Sequence, residues 1–105
     1  MYTIVYSFIV KPGKEDDFET SWLNVTKELY KNHGSLGSRL HKPTDTSYLA
    51  YAQWPNKEVF DVSSNAEKSP ALLKSLENMK DCCYTIDTLH KLEVAIDFLQ
   101  SNPFN

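Results

Sequence analysis

The chain is poor in sulfur and glycine, with two cysteines, two methionines and three glycines in 105 residues. The cysteines, Cys82 and Cys83, are adjacent. Neighbours can close only a strained ring, whereas the disulfide framework of a secreted protein joins distant segments. Reduced thiols in a cytoplasmic protein are therefore the expectation. No apolar run approaches the roughly 18 residues that span a bilayer. The opening "MYTIVYSFIV" leads straight into charged residues, without the basic start, apolar stretch and small-residue cleavage site of a secretory leader. An excess of one charge is also missing: eleven Lys and Arg face fourteen Asp and Glu, a net charge of -3. Basic residues never gather into a patch, which sets aside nucleic acid and anionic membranes as partners. A glycine-rich phosphate loop, an HExxH pair, a CxxC pair and a nucleophile elbow are all lacking, which argues against nucleotide-dependent, zinc and serine-hydrolase chemistry. Three histidines spread over three elements make no recognisable metal site.

What remains is the pattern of one small domain, which at this length buries roughly two thirds of the surface its unfolded chain exposes. Tyr2 to Val10 is rich in Tyr, Ile, Val and Phe and reads as a strand with apolar residues on both faces. After "KPGK", the stretch Lys14 to His33 places Phe18, Trp22, Val25 and Leu29 on one helical stripe. Glu15, Asp16 and Asp17 suit its first turn. Lys31 and His33 suit its last turn, before the stop at Gly34. "SLGSRLHKP" alternates as a second strand, "PTDT" turns, and Ser47 to Trp54 form a third strand ended by Pro55. Asn56 caps a second helical region containing Val59 and Phe60, which "SSNAEKSP" interrupts. From Pro70, Leu72, Leu73, Leu76 and Met79 resume helical spacing. The last strand runs from about Tyr84 to Ile96 with Tyr84, Ile86, Thr88, His90, Leu92, Val94 and Ile96 on one parity, and a tail follows. Residues 1–96 thus form one domain and 97–105 a C-terminal tail.

The order βαββαβ is the ferredoxin-like α+β pattern, a four-stranded antiparallel sheet with helices on one face. Every strand nevertheless keeps apolar or aromatic residues on both parities, so the second face needs a cover. Two-fold symmetric pairs are the commonest oligomers, and a homodimer with sheet against sheet is the expectation.

The stretches "FIVKPGKEDDFETSW", "GSLGSRLHKP", "YLAYAQWPNKEVFD" and "SPALLKSL" resemble the antibiotic biosynthesis monooxygenase family of dimeric α/β-barrel proteins, across about residues 2–96. The resemblance implies cofactor-independent oxidation of a small electron-rich aromatic or quinol, with no flavin, haem or metal. An ionised phenol passes an electron to oxygen itself, so the protein needs an apolar pocket, help with ionisation and donors for the developing oxyanion. A haem-degrading branch carries an asparagine on the first strand and a tryptophan and a histidine on the second helical region. Tyr6, Ser63 and Leu73 stand at those positions here, which disfavours haem.

The polar candidates are Tyr6, at the position where relatives present a polar group to the cavity, and Arg39 with His41, which share a face of the second strand. Arginine suits an enolate, and histidine serves as a base near neutral pH. Trp22, Tyr51 and Trp54 are the candidate pocket walls. Five of them have a plainer reading: Tyr6 and Trp22 as core, Arg39 and His41 at a dimer rim or in solvent, and Trp54 packed where sheet meets helix. Tyr48 and Tyr51 point to opposite faces, and His90 reads as a core or interface residue. The alternative to an enzyme is a non-catalytic dimeric small-ligand-binding or stress-response module, which a cavity smaller than roughly 300 Å³ favours.

Overall fold

A computed structural model describes all 105 residues. It holds β1 (Tyr2–Val10), α1 (Glu15–Asn32), β2 (Ser38–His41), β3 (Ser47–Trp54), α2 (Lys57–Asn65), α3 (Pro70–Asp81) and β4 (Cys83–Glu93). The sheet order is β2-β3-β1-β4 with every neighbouring pair antiparallel. This is the ferredoxin-like arrangement, with the helices on one face. No helix is long and apolar enough to cross a membrane.

The even-numbered residues of β1 turn toward the helices: Tyr2, Ile4, Phe8 and Val10 are buried there. They meet the α1 stripe, in which Phe18 and Val25 are buried and Trp22 and Leu29 pack against the same core. Phe18 stacks between Phe8 and Tyr48 at ring-centroid distances of 5.0 and 4.7 Å. Its full burial contributes roughly 2–3 kcal/mol.

The helix ends follow from local chemistry. Asn56 Oδ1 accepts from the Val59 N–H at 2.8 Å, and Ser69 Oγ accepts from the Leu72 N–H at 3.1 Å with Pro70 just inside the helix. Ser69 also donates to Glu28 of α1 at 3.2 Å, tying the two helices together. Gly34 stops α1 in the left-handed region at φ 82. There a Cβ would come within 2.9 Å of Val59 Cγ1, so the glycine lets α2 close onto the end of α1.

β4 departs from the expected alternation. Its register with β1 shifts between Val5 and Tyr6 and again between Ile9 and Val10, so His90 pairs with Val5 while Thr88 pairs with Tyr6. Each bulge skips one residue, and the one at Leu89 reverses the parity between Ile86 and His90. His90 consequently sits on the outer face, exposed, rather than with Ile86 inside. Regular pairing also ends at Glu93, three residues before Ile96, followed by one bond from the Val94 N–H to the Met1 carbonyl at 2.9 Å.

Candidate functional site

Between sheet and helices the core leaves a gap. β1 supplies Tyr6 and Phe8, α1 supplies Trp22, Val25 and Leu29, and Trp54 closes the end of β3, enclosing a mostly apolar cavity of about 190 Å³. A smaller lobe of about 150 Å³ lies alongside, and Tyr6, Val25, Leu29, Trp54 and Leu76 are walls of both. His33, Ser63 and Lys68 line the smaller lobe.

The polar groups here are few. Burial raises the pKa of Tyr6 above the usual 10.0, so its hydroxyl stays protonated and able to donate. The indole N–H of Trp54 is buried without a hydrogen-bond partner, in a side chain only 3% exposed. An unsatisfied buried donor costs about 1–3 kcal/mol, and a ligand acceptor within reach would recover that cost. Ser38 Oγ donates to the Tyr51 carbonyl at 3.0 Å, and Ser35 Oγ accepts from the Gly37 N–H at 2.9 Å. No three His, Cys, Asp or Glu side chains come together as a metal site.

The model of the antibiotic biosynthesis monooxygenase family matches residues 1–75. The chain belongs to that family. Its fold is shared by a variant of SnoaB, a cofactor-independent oxygenase from Streptomyces nogalater, at TM-score 0.74 and 18% identity over 94% of this chain and 97% of that one. An antibiotic biosynthesis monooxygenase-type protein from Nitrosomonas europaea follows at TM-score 0.72 and 12% identity, covering 91% of this chain and 100% of that one. One from Chloroflexus aurantiacus superposes at 0.71 with 13% identity over 96% and 98% of the two chains. At such identities the likeness concerns the fold. No protein of curated function matches in sequence.

Within this family member the six residues singled out from sequence divide between two faces. Tyr6, Trp22 and Trp54 wall the same cavity. Arg39, His41 and Tyr51 do not: Arg39 pairs with Tyr51 across β2 and β3, Tyr51 pairs with Val5, and this parity turns all of them to the sheet face away from the helices. Tyr51 and Thr3 make a hydrogen bond there, 3.3 Å between hydroxyl oxygens, while Arg39 and His41 are exposed. Grouping Tyr6 with Arg39 and His41 therefore fails on strand parity. Trp54 packs edge-on against Phe60 of α2 at 5.4 Å, the sheet-to-helix junction expected of it, and lines the cavity as well. Tyr48 lies on the inner face opposite to Tyr51 and donates to Glu19 Oε2 at 2.6 Å. Burial and then this carboxylate hold its pKa far above the usual range.

Sequence reasoning missed His33 as a site residue. It reads as a helix-closing cation, yet its Nδ1 lies 3.2 Å from Ser63 Oγ in the wall of the smaller lobe. The two residues are thirty apart, and only the fold-back permitted at Gly34 joins them. Cys82 and Cys83 are free thiols buried in the core. Burial raises both pKa values, which suits packing rather than nucleophilic chemistry.

Proposed function

We propose that the chain is a cofactor-independent monooxygenase that oxidises a small, electron-rich phenol or quinol with molecular oxygen and works as a homodimer. The observation that carries this reading is the apolar cavity walled by Tyr6, Trp22 and Trp54, in a chain of this family. SnoaB, which shares the fold, is a cofactor-independent oxygenase, and that supports the same chemistry here. An engineered apolar cavity of about 150 Å³ takes benzene. A lobe of about 190 Å³ accordingly fits one substituted ring rather than the three fused rings of an anthrone.

For a phenol with a free para C–H the reaction balances as phenol plus oxygen giving quinone plus water. One oxygen atom joins the para carbon, and the second leaves with the two hydrogens lost from O–H and C–H. The ionised substrate supplies the electrons. The protein excludes water, and the hydroxyl of Tyr6 and the indole N–H of Trp54 donate to developing negative charge. The outer sheet face, with Val5, Leu49, Tyr51 and the half-exposed Ile9 and Leu92, suits burial against a second copy. Arg39 and His41 then lie at or near the dimer interface.

A second reading has its own support. Neither lobe reaches roughly 300 Å³, the lower end for small-molecule sites, and the larger contains no carboxylate, histidine or lysine. Both features suit a non-catalytic module that binds a small ligand. Oxygen uptake separates the two, with chelator-treated protein, a panel of single-ring phenols and hydroquinones plus an anthrone, and heat-denatured protein as control. The oxygenase reading predicts uptake above control for a one-ring substrate, reduced roughly tenfold or more by Tyr6→Phe. Binding of one-ring phenols without uptake would favour the module.

A further inference from the structure

We propose that His33 is the base that deprotonates the substrate in this cavity, its ring oriented by Ser63; the inference rests on the oxygenase reading and supplies a group which that reading lacks. Electron transfer to oxygen starts from an ionised phenol, yet burial of a phenol in an apolar space favours its neutral form. Tyr6 is the one titratable side chain of the larger lobe. It is held neutral by burial, and so donates rather than accepts.

The smaller lobe behind the shared wall of Tyr6 and Trp54 carries the only imidazole and the only ammonium facing either lobe, His33 and Lys68. His33 Nδ1 is engaged with Ser63 Oγ at 3.2 Å, and His33 makes no other side-chain hydrogen bond. With the Nδ1 proton donated to Ser63 Oγ, the lone pair of Nε2 is free to take a proton. Ser63 is itself buried in α2, so its hydroxyl serves as a fixed partner.

His33 and Ser63 also line an outer groove on the other side, beside Glu58 and Glu67. The imidazole thus borders both the inner lobe and this groove. In the proposed step the ring occupies the larger lobe and its hydroxyl reaches past Tyr6 and Trp54 into the smaller lobe that His33 lines. The phenol O–H breaks, an N–H forms at Nε2, and the proton leaves through the outer groove. Lys68 supplies the counter-charge to the phenolate. General bases placed in this way contribute typically 10²–10⁴-fold.

The test uses 4-nitrophenol, a one-ring probe whose absorption band distinguishes phenol from phenolate without any oxygen chemistry. It is added to the intact protein in a buffer where the free probe is mostly neutral, and binding is followed separately by quenching of tryptophan fluorescence. The wild type is expected to bind the probe and shift it to the phenolate band. His33→Gln should bind it within about threefold of the wild-type affinity but leave it neutral. His33→Ala should recover the shift when free imidazole is added through the outer groove, a rescue that a merely structural role does not give. In oxygen uptake, His33→Gln should lower kcat at least tenfold with little change in KM. A bound probe that stays neutral in the wild type, or a phenolate band as strong in His33→Gln but lost in Lys68→Met, would overturn the assignment. If wild-type protein ionises the bound probe through His33 yet oxidises no phenol, the base assignment stands and the oxygenase reading fails.

Discussion

At the scale of single residues, burial sets the chemistry. The Cys83 thiol is pushed from an ordinary 9.0 up to about 11, first by burial and then by neighbouring Cys82. Its raised value means that the folded chain holds the thiol proton more tightly than the unfolded chain does. That stabilisation is complete below about pH 9 and is lost as pH rises to about 11. Chemical denaturation of Cys83→Ala across this range should show a correspondingly shallower decline than the wild type; an equal decline would contradict the assignment. Burial raises Cys82 and Tyr6 as well, so the difference between wild type and Cys83→Ala isolates the Cys83 share. Legibility at this scale was uneven. The burial of Phe18 follows from its helical stripe, but whether Tyr48, Arg39 or Tyr6 faces the helices depends on which parity of a two-faced apolar strand they cover. With apolar residues on both parities, the sequence holds no sign of that choice.

At the scale of elements, caps and stops were readable because they are local. Asn56, Pro70 and Gly34 each act within one turn of their own position. The bulges of β4 were not readable, since they arise from matching an eleven-residue strand to a nine-residue partner. The one at Leu89 took His90 off the row it would share with Ile86 in a regular alternation and put it on the outer face. Gly34 couples two elements, and Gly34→Ala combines a positive φ with a 2.9 Å approach to Val59 Cγ1. Thermal or urea unfolding should show a loss of about 1–3 kcal/mol, and the His33–Ser63 pair should loosen with it. A neutral effect would mean that the α1–α2 junction carries no such constraint. His33 stayed hidden for the same reason, because a contact between residues thirty apart exists only after this junction closes.

At the scale of the whole molecule, the fold followed from element order, and the unpaired outer sheet face from apolar residues on both parities. Burying that face against a second copy would hide Val5, Leu49, Tyr51 and Leu92. Leu92→Lys places a charge on that face at its β4 edge and should shift the protein to a monomer in light scattering at micromolar concentration, while its circular dichroism stays that of the wild type. A wild type that is already monomeric would remove the dimer. The oxygenase reading rests on the cavity on the other face, and plugging that cavity tests it. Ala52 lines the cavity from β3, and leucine there adds bulk without charge. Oxygen uptake with a one-ring phenol that carries a free para C–H, measured for wild type and for a folded Ala52→Leu variant, should be well above the denatured control in the first and near that control in the second. Equal uptake by both proteins would place the chemistry elsewhere, and no uptake by either would remove the oxygenase.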